Sequence, residues 1–384
     1  MLRRFTRIMA ENVAKRLKTD AGAGTGTGAG AGIKIGTHNG HFHADEALAV
    51  YMLRRLVPAY ADATLVRTRD PAVLATCHTV VDVGGEYDPS RHRYDHHQRS
   101  FTTTFPGRGA TKLSSAGLVY MHFGRSIIAR ALGRPEADGE DDADVSLLYP
   151  KLYESFVEAL DAHDNGVSAY DSAALARAGI EKRFSNGGFT LGALVGRLNP
   201  NWNDSVPADP EVAQAEEDGR FDKASERIGE EFKRDLEYYC GAWLPARAIV
   251  RDAYETRFRH DPEGRVMVFE GQSVPWKDHL YALEEEEEEQ KEGAASTGKQ
   301  KILYVLYPEK PAPGAKWRIQ AVPVSKDSFE SRKALPEPWR GARDEQLDEV
   351  SGVPGGVFVH ASGFIGGNKT FEGVKELAAK ACAF

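Results

Sequence analysis

An aspartate stands inside the most strand-like run of this chain, Thr79-Val80-Val81-Asp82-Val83. β-Branched residues without polar alternation suit a parallel strand buried on both faces. An acid there is costly unless hydrogen bonds or a cation compensate it, so the fold has to bring partners to the end of that strand. Candidates flank it. Thr37-His38-Asn39-Gly40-His41-Phe42-His43-Ala44-Asp45-Glu46 lies upstream and Tyr94-Asp95-His96-His97 downstream, with Gly84-Gly85 turning the chain between them. Oxygen and imidazole donors converging from separate segments are what a hard or borderline divalent cation needs.

Periodicity places these clusters on a framework. Ile33 to Thr37 predicts a short strand, and Ala44 to Leu56 a helix with Leu48, Tyr51, Met52 and Leu56 on one face and Pro58 at its end. Ala63 to Thr68 predicts a further strand. The expected fold is α/β, a mostly parallel doubly wound sheet with the ligand-rich turn at a strand's C-terminal end, where open sheets place their sites. Ser114 or Ser115 can cap a helix running to about Leu132, whose N-terminal N–H groups would suit a phosphate. Another helix, from about Leu147, ends at Asp161-Ala162-His163-Asp164-Asn165-Gly166. Its two terminal acids share a face and oppose the helix dipole, a conflict that a bound cation would relieve.

The later chain is read more coarsely. A short helix from Thr190 leads to Arg197-Leu198-Asn199-Pro200-Asn201-Trp202, and an amphipathic helix between about Pro210 and Ala242 reads as a connector. Strands are expected near Arg265 to Glu270, Ile302 to Tyr307 and Trp317 to Val324, and a helix from about Thr370 to Ala381. The domain reading is a leader over 1–32, a catalytic domain over 33–205, the connector over 206–245, and a smaller α/β lid over 246–384 with a disordered insertion at 284–301. Six consecutive glutamates, Glu284 to Glu289, make that insertion read as a solvated loop. Trp202 and Trp317 read as core residues rather than base-stacking platforms.

Charge and cysteines narrow the classes. A formal net charge of -8 argues against coating nucleic acid by bulk positive charge, though not against a local basic groove. Cys77, Cys240 and Cys382 are too few and too scattered for a disulfide framework or a thiolate zinc knuckle, which fits a reducing compartment. No apolar run is long enough to span a bilayer, so no membrane partner is expected. The first twenty residues carry Arg3, Arg4, Arg7, Lys15, Arg16 and Lys18 with Leu2, Phe5, Ile8, Val13 and Leu17 at helical spacing, as in a mitochondrial transit peptide. Lys15-Arg16-Leu17-Lys18 also reads as a basic nuclear address, so both destinations are expected. Ala21 to Gly32 has no side chain large enough to pack.

A two-metal phosphoesterase site uses about six ligands around cations roughly 3.5 to 4 Å apart, with a bridging hydroxide as nucleophile. His38, His43, Asp45, Asp82, His96 and Asp164 supply six. Mixed imidazole and carboxylate donors favour two manganese ions, with magnesium or another divalent metal as alternatives. His97 is then free to contact a phosphate or protonate a leaving oxygen, and Asp95 to hold a histidine's second nitrogen.

Asp95-His96-His97 after an upstream His-rich motif resembles the DHH phosphoesterase superfamily, which includes RecJ-type nucleases, oligoribonucleases and manganese inorganic pyrophosphatases. Ile35-Gly36-Thr37-His38-Asn39-Gly40, Phe42-His43-Ala44-Asp45-Glu46, Val83-Gly84-Gly85-Glu86-Tyr87, Leu198-Asn199-Pro200-Asn201-Trp202 and Ser362-Gly363-Phe364-Ile365-Gly366-Gly367 resemble, more narrowly, the Myg exonuclease family of melanocyte-proliferating-gene proteins. The likeness runs from Ile33 to the C-terminus. It implies metal-dependent 3'-to-5' exonuclease activity on single-stranded RNA, in nucleus and mitochondria. In place of two superfamily aspartates the chain has His43 and Asp45, and either Asp161 or Asp164 could serve as the last ligand, Asp164 being favoured. The superfamily's C-terminal domain closes over substrate with a glycine-rich turn. Gly366-Gly367-Asn368-Lys369 is the matching candidate, its main-chain N–H groups and Lys369 holding a phosphate or terminal nucleotide. Two rival functions are hydrolysis of a small phosphate compound such as pyrophosphate, and metal-stabilised RNA binding without turnover.

Overall fold

The computed structural model describes residues 32–109, 111–135, 142–185, 187–289 and 300–384. The basic leader and most of the expected insertion lie outside these residues. The described chain is α/β and forms two compact units, Met1–Gly241 and Ala242–Phe384.

In the first unit, strands β1 (Lys34–Thr37), β2 (Thr64–Arg67), β3 (Thr79–Val81), β4 (Tyr87–Asp88) and β5 (Arg93–Tyr94) form one sheet in the order β2-β1-β3-β5-β4. All pairs are parallel except β4 with β5. Ile35 lies opposite both Leu65 and Thr79, which puts β1 between its neighbours and aims its C-terminal end, with that of β3, at the same side. All three residues of β3 are buried. Helix α1 (Ala44–Tyr51) leaves β1 after the loop 38–43, and every residue in it is buried, Asp45 and Glu46 included. The expected continuation to Leu56 is present as a wider π-helical turn, Met52–Leu56. Helix α2 (Ser115–Leu132) starts at Ser114, whose hydroxyl accepts the Gly117 N–H. The acid-bearing segment ends in α3 (Glu158–Asp164), and Thr190 caps the short helix Leu191–Gly196.

The long helix α4 (Pro210–Tyr238) is not a connector. It buries Phe221, Ile228 and Phe232, and its Ser225 hydroxyl donates to the Ala47 carbonyl of α1 at 2.8 Å. Gly229 permits this close approach, since a Cβ there would sit 1.9 Å from the Tyr51 ring. The apolar stripe of α4 is thus part of the first core.

The second unit carries β6 (Val266–Val268), β7 (Tyr304–Pro308), β8 (Trp317–Ala321), β9 (Gly356–Val359) and β10 (Ile365–Asn368), ordered β6-β7-β8-β10-β9. Only β6 and β7 run parallel. Its core gathers Val266, Tyr304, Ile319, Trp339 and, from the last helix Phe371–Ala383, Val374 and Leu377. Two expectations fail here. The glutamate run is helical, as part of Lys277–Glu289, rather than a loop. Glu284 is buried and accepts from both Arg332 terminal nitrogens, at 2.7 and 2.6 Å, and from the Ile302 N–H, while Glu286 and Glu287 pair with Arg251 and Arg257. Partners supplied by the fold convert a repelling charge run into a packed helix face. Gly366 and Gly367 are strand, not turn, paired on one side with Ile319 and Arg318 and on the other with Val359 and Phe358. A Cβ on Gly367 would fall 2.4 Å from the Arg318 guanidinium, so glycine serves close packing there rather than an anion cradle. The Lys369 N–H is likewise committed, to the Gly355 carbonyl, and its side chain is exposed.

Replacing Gly229 by alanine is expected to force α4 away from Tyr51 and lower stability by about 1–3 kcal/mol, read by chemical denaturation.

Candidate metal centre

Asp82 follows β3 directly, with φ of 57°, a left-handed backbone that only glycine adopts without strain. Its N–H donates to the Tyr94 carbonyl, which ties it to β5, and its side chain is buried where β1 and β3 both end. One carboxylate oxygen lies 3.4 Å from His38 Nε2, and the other lies 3.4 Å from His96 Nε2 and 3.7 Å from His97 Nδ1. The same His96 nitrogen is 3.0 Å from Asp164 Oδ2 and 3.9 Å from Asp45 Oδ2. Three acids from β3, α1 and α3 therefore converge on one imidazole of the loop after β5. Despite these distances, His96 Nε2 makes no well-directed hydrogen bond among the described residues, nor does the buried Glu46 Oε2.

The acids are held from behind. Asp45 accepts from the Ser114 hydroxyl at 2.5 Å and from the N–H groups of Ser115 and Ala116 at 2.9 and 2.6 Å. The N-terminus of α2 does face the site, as expected, but a carboxylate of the chain itself takes its N–H groups and not a phosphate. Ser115 also donates its hydroxyl to Asp82 at 3.2 Å. Asp161 is fully buried, accepting from the Ser114 N–H and the Tyr153 hydroxyl, and its Oδ1 lies 2.7 Å from the Ser114 hydroxyl oxygen, whose single proton Asp45 and Asp161 share. Of the two acids ending α3, Asp161 props the helix cap and Asp164 faces His96. Burial pushes the Asp161 carboxyl up to about 6.

Charge follows geometry. Burial, and then the charges of Asp82 and Asp164, raise the Asp45 carboxyl well above its ordinary range. Burial works against the charge of Asp82 as well, but the His38 and His96 imidazoles bring that carboxyl below its ordinary value. Burial opposes charge on His38 and His96 too, yet Asp82 with Glu46 carries the first up to about 10, and Asp164 with Asp82 the second up to about 11. Like-charged carboxylates thus depend on whatever cation stands between them, a proton on imidazole or a metal ion.

His43 is exposed, and its backbone N–H is capped by Glu46 Oε1, which also lies 3.1 Å from His38 Nε2. His38, His43 and Glu46 form one group of possible metal ligands, Asp82, His96 and His97 a second, and Asp45, His96 and Asp164 a third. Glu46 was missed from the sequence, although its place three residues after His43 is the capping-box spacing. Asp95 is buried and accepts from His97 Nδ1 at 2.7 Å and from the N–H groups of His97 and Gly85. That bond to Asp95 raises the His97 imidazole above its ordinary value. All eight expected residues, His38, His43, Asp45, Asp82, Asp95, His96, His97 and Asp164, line one cleft of about 740 Å³, with His41, His163 and Arg69.

Two remote residues hold the histidine loop. Asn199 accepts the Phe42 N–H at 3.0 Å and donates to the Phe42 carbonyl at 2.9 Å. Arg67 donates to the Gly40 carbonyl at 2.8 Å, and its buried guanidinium lies 4.7 Å from the Phe221 ring centroid, facing Glu217 and Asp218 of α4.

A family model for MYG1_exonuc, described as an uncharacterised protein family (UPF0160), matches residues 34–382. This chain belongs to that family. MYG1 exonuclease of Homo sapiens is 49% identical over 350 residues, 90% of this chain and 84% of its own. The MYG1 protein of Dictyostelium discoideum is 42% identical over 348 residues, 91% and 96% of the two chains. Among solved structures, RecJ of Thermus thermophilus in complex with Mn2+ is 16% identical, covering 99% of this chain and 55% of its own at a TM-score of 0.24, and no residue role is carried over from it.

The donor set fits a divalent cation, with buried acids and imidazoles on one cleft and His96 Nε2 there without a well-directed hydrogen bond. Because an imidazole has to lose its proton to bind metal, and the neighbouring acids hold those protons on His38 and His96, manganese affinity is expected to rise with pH through neutrality. Titration calorimetry in buffers of different ionisation enthalpy is expected to show net proton release. Affinity independent of pH would contradict binding at these imidazoles.

Proposed function

We propose that the chain is a divalent-metal-dependent 3'-to-5' exonuclease acting on single-stranded RNA, with two manganese ions held by His38, His43, Asp45, Asp82, His96 and Asp164. The observation that carries this reading is the convergence of Asp45, Asp82 and Asp164 on the unpartnered Nε2 of His96. The name carried by the mammalian relatives, MYG1 exonuclease, supports the reaction class. The motif resemblance supports RNA and the 3' end, and mixed imidazole and carboxylate donors support manganese over magnesium.

Bound divalent cations supply Lewis-acid polarisation of the phosphate and activation of water. The chain's own groups do the rest. His97, with Nδ1 fixed by Asp95, leaves Nε2 to protonate the departing oxygen, and its raised affinity for a proton suits that role. Arg69 lines the cleft wall, where its guanidinium would meet a phosphate oxygen of a bound strand. Ser114, Ser115 and Asp161 keep Asp45 and Asp82 in place.

The test is incubation of purified full-length protein with end-labelled single-stranded RNA, single-stranded DNA and pyrophosphate, with manganese and with chelator. Mononucleotides released from RNA only with metal are expected. Asp82→Ala and His96→Ala are each expected to lose more than about 100-fold in rate while keeping the fold by circular dichroism. Metal-dependent activity retained in both would refute the site. The net charge of -8 favours a second reading, hydrolysis of a small phosphate compound. Turnover of pyrophosphate with little dependence on salt would select it, because a long strand loses affinity steeply as salt rises. Binding without any turnover would select the non-catalytic reading.

We also assign mitochondrial and nuclear destinations to the basic residues before Ala21. Imaging of the full chain and of a chain lacking those residues is expected to show both compartments lost on truncation, and staining confined to the cytosol in both would refute it.

A further inference from the structure

Among the described residues, most of the large apolar side chains that the first unit exposes lie between 165 and 206. Tyr170 is 72% exposed, Phe184 74%, Phe189 96% and Trp202 97%, which corrects the reading of Trp202 as a core residue. Trp317, by contrast, is half-buried and packs on Phe371 with ring centroids 4.6 Å apart.

The segment meets the cleft at two places. Asn165 follows Asp164 directly and lines it, and so do Gly192 and Gly196 of the helix capped by Thr190. Gly192 lies close against the ring of His163, where a Cβ would come within 3.0 Å of Nε2. Three residues on, Asn199 clamps the histidine loop, and Trp202 follows on an exposed turn. The exposed rings therefore lie, along the chain, between and just after residues of the cleft wall. Lys182 and Arg183 immediately precede Phe184, and all three are exposed. Cations beside exposed aromatic rings, in the stretch of chain that borders the cleft, suit a chain that offers phosphates and flat bases alternately. A protein partner would need the rings but neither the cations nor the cleft, and nothing about a second copy of this chain explains why the apolar surface lies on the stretch that supplies cleft residues.

We infer that Phe184, Phe189 and Trp202, with Lys182 and Arg183, form the track on which a single-stranded nucleic acid lies as its 3' end enters the cleft, bases stacking on the rings and phosphates meeting the two cations. This rests on the exonuclease reading. It adds which residues grip the strand beyond the scissile nucleotide, and it makes affinity depend on strand length. Stacking tolerates any base, so the track favours no sequence.

The experiment is equilibrium binding of a fluorescein-labelled 20-nucleotide single strand and of a labelled dinucleotide to full-length protein by anisotropy, with chelator present so that no cleavage occurs. The wild-type protein is expected to bind the longer strand more tightly. Phe189→Ala and Trp202→Ala are each expected to weaken it roughly tenfold, and the double variant about a hundredfold. Phe329→Ala, at a fully exposed ring in the second unit, is expected to leave it unchanged. Because those rings are solvent-facing, melting temperatures of the variants are expected to match wild type. Wild-type affinity in the double variant would overturn the track. So would sedimentation showing that the double variant dissociates a dimer, since the rings would then have been covered by a second copy. If the protein hydrolyses none of the earlier substrates yet binds the long strand through these rings, the track stands and the exonuclease reading fails.

Discussion

Buried carboxylates of like charge are the constraint on which the first unit is built. Asp45, Asp82 and Asp164 approach a single imidazole nitrogen, and Asp45 and Asp82 are almost wholly out of water. In a medium of low dielectric such charges repel strongly and lose their hydration, so each needs several partners. The chain supplies them from four directions: the N-terminus of α2 to Asp45, a serine hydroxyl to Asp82, imidazoles to both, and the strand-end backbone that holds Asp82 in a left-handed conformation. His96 Nε2, on the cleft, remains without a well-directed hydrogen bond, as does the buried Glu46 Oε2.

The supports are arranged in depth. Asp161 ties Ser114 to the Tyr153 hydroxyl, and Ser114 contacts Asp45, so removing Asp161 would act on the ligand through Ser114. The histidine loop is fixed by the Asn199 amide on Phe42 and by the Arg67 guanidinium on Gly40, contacts that span 157 and 27 residues of sequence. Arg67 in turn leans on α4 through Phe221, Glu217 and Asp218. A helix that looks like a linker by composition is therefore part of what positions the donors.

The second unit solves a similar problem with permanent cations. Glu284, buried at the start of an acidic run, is neutralised by Arg332 in a two-pronged pair, and Glu287 by the equally buried Arg257. A fixed guanidinium cannot exchange for metal or substrate, whereas an imidazole proton can. That contrast separates a structural acid from one available for chemistry.

Local sequence was enough for whatever depends on neighbours along the chain. The run around Asp82, a cap at Ser114 or Ser115, helix starts near Thr190 and Thr370, the donor types between His38 and His97, and the family motifs could all be read without coordinates, because strand, helix and cap preferences act over a few residues. Tertiary structure alone decided which of Asp161 and Asp164 turns to His96, that Asp45 rather than a phosphate occupies the α2 N-terminus, and that Glu46 joins His38. It also decided that six glutamates make a helix, that Gly366 and Gly367 make a strand, and that Trp202 faces solvent. In each case the outcome turned on a partner, or the lack of one, distant in sequence. Side-chain direction and charge compensation are properties of the packed chain, and no window of neighbouring residues contains them.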